Sequence, residues 1–294
     1  MPQPIPKKII AVVVALVVLF IAGVVIVIKS NPKRVPEASV VVEEKSIPQV
    51  HIIGNSVEGR PLEAHTYGNG ATHLVFVGGI HGGYEWNSVV LSYAFIDYLT
   101  AHPEMIPKNI TITVIPSANP DGVHAVTGKE GHFTLEDVST ETKILESGRF
   151  NAHDVDINRN FDCKWKPKST WRSKTVNAGT GAFSEPEAKA IQNFMLKTRP
   201  TAVVFWHSKS NAVYASQCES GILGETLTIM NLYANASGYP PVKTFDAYEV
   251  TGAADDWLAS IGIPAITVEL QTHEVIEWEK NMAGIKALIE HYTK

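Results

Sequence analysis

Apolar residues along this chain fall into short blocks separated by polar and turn-forming segments. Leu74 to Ile80, Ile110 to Ile115, Ala202 to Trp206 and Ala265 to Leu270 are nearly continuous apolar runs, the pattern of strands buried on both faces. Between them, Ser88 to Thr100 and Glu185 to Leu196 space their apolar residues as helices do. In Ser184-Glu185-Pro186-Glu187 the serine is placed to cap the second helix, with the proline harmless in its first turn. Strands alternating with helices predict an α/β fold, a mostly parallel mixed sheet sandwiched by helices. In such folds, functional side chains collect just past the strand ends.

A different pattern occupies the N-terminus. Ile9 to Ile28 is a run of twenty apolar or small residues without a charge. At about 1.5 Å per residue it reaches roughly 30 Å, the thickness of a bilayer core. The h-region of a cleaved signal peptide is shorter, about 7–15 residues, so a single-pass anchor is the expectation. Residues 29–46 contain prolines and mixed charges without apolar period and read as a linker. The expected organisation is a tail over 1–8, a transmembrane anchor over 9–28, a linker over 29–46 and one domain over 47–294. Lys7 and Lys8 precede the span while Lys29, Lys33 and Arg34 follow it, so charge does not orient it. The short leading tail favours an external domain. Past residue 28 the chain carries 23 basic against 30 acidic residues, which speaks against nucleic acid as a partner.

Three polar clusters stand at the predicted strand ends. Gly78-Gly79-Ile80-His81-Gly82-Gly83-Tyr84-Glu85 runs from a strand through a glycine-rich turn into a helix, bringing together an imidazole and a carboxylate that could both ligate zinc. Trp206-His207-Ser208 puts a second histidine directly after an apolar run. Thr267-Val268-Glu269-Leu270 embeds a carboxylate in another, which is costly unless the acid is paired or faces a cation. A structural ion pair would explain Glu269; so would a general base beside an activated water. Taken singly, each residue has an ordinary structural reading.

Together with Ile53-Gly54-Asn55-Ser56-Val57-Glu58-Gly59-Arg60-Pro61, Asn119-Pro120-Asp121-Gly122 and Asp156-Ile157-Asn158-Arg159-Asn160, these clusters follow one another in the order found in the M14 family of zinc carboxypeptidases. The chain resembles that family over nearly all of residues 47–294. The resemblance implies a zinc-dependent carboxypeptidase that hydrolyses the C-terminal bond of a peptide, with one Zn2+ per chain held by His81, Glu85 and His207. It further implies that Glu269 is the general base and that Arg149, nine residues before Asn158, stabilises the oxyanion. Asn158 and Arg159 would grip the terminal carboxylate, Asp156 would orient His81, and Tyr248 would close over the substrate. Asp255 matches the position that carries aspartate in enzymes acting on basic ends, so lysine, arginine or diaminopimelate ends are expected.

Two departures stand out. The family's His-x-x-Glu is stretched to four residues between His81 and Glu85, an extra residue that adjacent glycines could absorb. The arginine that lies between the ligands in pancreatic enzymes is replaced by Gly83 and Tyr84. Two further readings remain open: a zinc amidohydrolase removing an acyl group from an amino acid, and an inactive peptide-binding module. The Asn-Arg-Asn segment and Tyr248 favour a peptide end over the first, and the presence of Glu269 argues against the second. Cys163 and Cys218, the only cysteines, could form a disulfide or remain two buried thiols.

Overall fold

The computed structural model describes residues 47–294, so the expected anchor over 9–28 and linker over 29–46 lie outside the described residues. Among the described residues, no helix is long and apolar enough to cross a membrane. In chain order the strands are β1 (Gln49–Asn55), β2 (Pro61–Gly68), β3 (Thr72–Val77), β4 (Ile110–Ile115), β5 (Lys168–Trp171), β6 (Lys174–Asn177), β7 (Ala202–Ser208), β8 (Ala212–Ala215), β9 (Pro241–Val242) and β10 (Ala265–Leu270). Eight of them form one sheet in the order β1-β2-β4-β3-β7-β10-β8-β9, and β5 with β6 makes a separate hairpin. The four central strands, β4, β3, β7 and β10, are mutually parallel, as crossover connections through helices require. Antiparallel pairing appears only toward the edges, where β2 meets β1 and β4, and β8 meets β10.

Strand parity divides the core into two layers. Leu74 and Phe76 of β3, Val204 and Trp206 of β7, and Ile266 and Val268 of β10 pack against α1 (Trp86–Ala101), α5 (Gly224–Ser237) and α7 (Trp278–Thr293). The intervening Val75, Val77, Val203, Phe205 and Ala265 face α4 (Pro186–Thr198) and α6 (Ala254–Ser260). The central strands are therefore apolar on both faces, which is why their sequences read as continuous runs rather than as alternation. By the same parity, His207 and Glu269 project to the α4 and α6 side, and they are direct partners in the β7 to β10 register.

Two sequence expectations need correction. The first strand ends at Val77 rather than Ile80, because Gly79 turns the chain with a positive φ of 61°. Ser184 does not cap α4: the residue before the helix is Glu185, with no side-chain cap. The Ser184 hydroxyl instead donates to Glu185 Oε1 at 2.9 Å and accepts from Asn160 Nδ2 at 3.0 Å. It serves the loop that carries Asn158, not the helix.

Candidate active site

Because β3, β7 and β10 are neighbours in the sheet, their C-terminal ends open onto one place. The chain leaving β3 reaches His81 and a single 3-10 turn, Gly82–Glu85, which leads straight into α1. The extra residue between the two ligand candidates is absorbed in that turn. Gly82 takes φ of 45°, and a Cβ there would lie 2.4 Å from the carbonyl oxygen of Gly148, so no other residue fits. Tyr84, displaced outward by the turn, lines the cleft.

His81, Glu85 and His207 converge, with candidate ligand atoms all within 4.8 Å of one another. His81 Nδ1 lies 2.8 Å from Glu85 Oε1, His207 Nδ1 lies 2.9 Å from Glu85 Oε2, and the two Nδ1 atoms are 3.2 Å apart. On its far side, His81 Nε2 faces Asp156 Oδ1 at 3.5 Å, and both atoms are otherwise buried without a partner. A proton on Nε2 directed at Asp156 leaves the His81 Nδ1 lone pair pointing at a carboxylate and a second imidazole. A cation satisfies three such converging acceptors, and two nitrogens with one carboxylate are the donor set of an open zinc site. The trio therefore fits zinc.

Arg149 explains why Asp156 stays charged while fully buried. Its Nε and Nη2 donate to the single oxygen Asp156 Oδ2 at 2.9 and 2.8 Å, leaving Oδ1 for His81. Burial opposes ionisation of Asp156, but Arg149 and Arg159 together hold its carboxyl well below the usual range. The remaining Nη1 of Arg149 lies 3.8 Å from Glu85 Oε1, and the guanidinium stacks 4.6 Å from the Trp171 ring centroid. Burial likewise works against Glu85, and His81 and His207 more than offset it, so that carboxyl is also held well down.

Glu269 stands in contrast. Burial, with the nearby charge of Glu85, pushes its carboxyl up to about 7, partly countered by His207, by a hydrogen bond from the Ser210 amide at 3.1 Å and by Arg149. A cleft of about 440 Å³ brings it together with the trio and with Arg149, Asn158, Arg159, Tyr248 and Asp255. Asn158 accepts from the Ala254 amide at 2.9 Å, which sets its side chain at the start of α6. Arg159 is fixed through Nε and Nη2 on the carbonyl oxygen of Thr170, at 3.2 and 3.1 Å. Tyr248 packs edge-on against Phe245, 4.8 Å between ring centroids. Asp255 accepts from the Thr267 hydroxyl at 3.0 Å, two residues before Glu269 on β10. Every site residue expected from the sequence except Asp156, which lies beneath the cleft behind His81, lines it.

Several participants were not foreseen. Ser208, the residue after His207, donates its backbone amide to Glu85 Oε2 at 3.2 Å. Its hydroxyl bridges Asn87 Oδ1 at 2.9 Å and His273 Nδ1 at 2.7 Å. Trp171 of the β5 to β6 hairpin and His273 after β10 flank Tyr84, and Asp256 lines the cleft beside Asp255. Ser208 and Asp256 carried a sequence signal, their adjacency to His207 and Asp255; Trp171 and His273 arrive through contacts distant in sequence.

The zinc carboxypeptidase family model, Peptidase_M14, matches residues 39–283. The chain belongs to the zinc carboxypeptidase family. Human Carboxypeptidase A6 is 28% identical to it over 245 residues, covering 74% of this chain and 54% of that protein. Murein peptide amidase A of Escherichia coli K12 is 28% identical over 131 residues, 41% of this chain and 50% of that protein. The chain thus spans about half the length of these curated relatives. Among solved structures, the murein-tripeptide amidase of Escherichia coli O157 superposes with a TM-score of 0.60 at 24% identity, covering 84% of this chain and 94% of that one, a likeness of fold.

Proposed function

We propose that this zinc carboxypeptidase family member is a zinc-dependent enzyme that hydrolyses the C-terminal bond of peptides, with basic or diaminopimelate ends as its preferred leaving residues. The convergence of both histidine Nδ1 atoms on the Glu85 carboxylate, with His207 the direct strand partner of Glu269, carries this reading. Zinc held by His81, Glu85 and His207 supplies a positive charge that polarises a carbonyl and lowers the pKa of water.

Around it the chain's own groups divide the work. Glu269, the strand partner of His207, takes a proton from the attacking water and returns it to the leaving nitrogen. Arg149, anchored on Asp156 through two donors, offers Nη1 to the developing oxyanion. Asn158 and Arg159 hold the terminal carboxylate, and Tyr248, on the rim, covers the bound end. Asp255 faces the side chain of the released residue and attracts an ammonium or guanidinium. The similarity to a murein peptide amidase supports including diaminopimelate, whose distal amine bears the same charge.

We also assign residues 9–28 as a membrane anchor and the peptidase domain to the outside. The apolar run supports the first, and the disulfide between Cys163 and Cys218, a bond of oxidising compartments, supports the second. The reading is tested by comparing kcat/KM on peptides ending in lysine, arginine, diaminopimelate, phenylalanine and leucine. Cleavage of the cationic ends is expected to dominate, and hydrolysis of none would contradict the assignment.

A further inference from the structure

Trp171 gathers three cations around its ring: Arg149 at 4.6 Å from the centroid, Lys174 at 5.2 Å and Arg172 at 5.4 Å. Two of them are neutralised, Arg149 by Asp156 and Lys174 by Glu146 at 2.9 Å. Arg172, at the tip of the β5 to β6 hairpin, has no ion-pair partner among the described residues. Lys209, in the turn after β7, has none there either. Both line the cleft.

These two cations line the same cleft from different elements. His273 sits edge-on to Tyr84 at 4.9 Å, and Tyr84 edge-on to Trp171 at 5.1 Å, so the three rings form one wall. Burial lowers the proton affinity of His273; Glu85 opposes it, and the charges of Lys209 and Arg172 add to it. Lys209 and Arg172 thus both lie near His273, and neither has a paired acid among the described residues.

β10 orders the charges along the cleft. Asp255 lies beside Thr267, Glu269 comes two residues later, and His273 lies beyond the end of the strand. Asp255 and Asp256 therefore mark one end, where Lys164 also stands, and Arg172 and Lys209 mark the other. A peptide whose terminal residue sits at Asn158, Arg159 and Asp255, with its scissile carbonyl at the trio, continues past Tyr84 toward Arg172 and Lys209.

We propose that Arg172 and Lys209 form a subsite for a carboxylate on the acyl side of the scissile bond, so that preferred substrates carry an acidic residue immediately before the released one. This deepens the carboxypeptidase reading and rests on it. Exposed charges of this kind contribute up to about fivefold each. Both act through water at the rim, so added salt weakens them.

The test uses the full chain with zinc and peptides ending in lysine that differ only in the preceding residue: glutamate, glutamine or lysine. The expected kcat/KM order is glutamate, then glutamine, then lysine, with the glutamate advantage over glutamine shrinking between low and high salt. Arg172→Gln and Lys209→Gln should each lower the ratio of glutamate to glutamine peptides, and the double variant should bring it close to one. Equal turnover of the three peptides overturns the subsite and leaves the carboxypeptidase reading standing. A glutamate preference that survives in the double variant overturns the assignment to these residues. Turnover of none overturns the reading and the subsite with it.

Discussion

Glu85 and Glu269 share one cleft, yet their neighbours ask opposite things of them. Glu85 lies against two imidazole nitrogens and accepts from a backbone amide, and His81 and His207 hold its carboxyl well down despite burial. Glu269 has one amide donor and a like charge nearby, and its proton is held near neutrality. The two glutamine variants should therefore separate. Glu269→Gln is expected to retain zinc while turnover falls by several orders of magnitude, and Glu85→Gln to lose zinc, as metal analysis of both would reveal. A zinc-free Glu269→Gln protein would mean that the two roles are exchanged. Asp255→Ala tests the neighbouring assignment: the preference for lysine over phenylalanine ends should drop by at least an order of magnitude, the scale of a lost charge-assisted contact of about 1.5–3 kcal/mol. Unchanged preference would remove Asp255 from specificity. Asp256 beside it behaves differently, since burial and the Asp255 charge push its carboxyl up to about 8. An acid whose folded pKa is raised binds more protons folded than unfolded, so stability falls as pH rises from about 4, the ordinary aspartate value, to about 8. Asp256→Asn keeps an acceptor for the Gln217 amide and should raise Tm at pH 8 more than at pH 5; an equal shift at both would contradict the buried, proton-holding acid. Nothing in an Asp255-Asp256 dipeptide reveals that the Asp256 carboxyl is pushed up, because that depends on what α6 packs against.

At the scale of elements, the sheet was legible because its central strands are covered on both faces, and the ends of β4 and β10 fall where the apolar runs do. The β5 to β6 hairpin was not, because its short strands bury only alternate residues and read as polar loop. That hairpin carries Trp171 and Arg172, so a whole wall of the cleft was hidden with it. The candidate ligands His81, Glu85 and His207 could be singled out by their order along the chain, whereas the accommodation of the stretched His81 to Glu85 spacing needed coordinates. Its 3-10 turn depends on Gly82, where positive φ and contact with the Gly148 carbonyl leave no room for a methyl group. Gly82→Ala should cost about 1–3 kcal/mol of stability and weaken zinc binding, measured by denaturation and by competition with a chelator. Wild-type zinc affinity in a folded Gly82→Ala protein would show that the turn is not what places Glu85.

For the whole molecule, the disulfide ties the loop after Asn158 and Arg159 to the segment between β8 and α5, across a separation of 55 residues. Both walls of the cleft near Asp256 hang on it, since Gln217, the neighbour of Cys218, donates to that carboxylate at 2.8 Å. Closing such a loop stabilises a fold by about 2–4 kcal/mol, so reduction should lower the denaturation midpoint accordingly. Labelling of unfolded, non-reduced protein should find no free thiol, and two labelled cysteines would refute the bridge. The sequence left pairing and free thiols equally open, because two cysteines bridge or not according to a distance that only the fold sets.

On the proposed reading, hydrolysis depends on one zinc ion held by His81, Glu85 and His207. The most direct measurement follows metal content and cleavage of a lysine-ended peptide in the same sample while zinc is stripped by a chelator and then returned. About one zinc per chain is expected at the start, from a site of three protein ligands. Activity should vanish with the metal and come back in proportion as it is restored. Full activity in demonstrably metal-free protein would contradict the account.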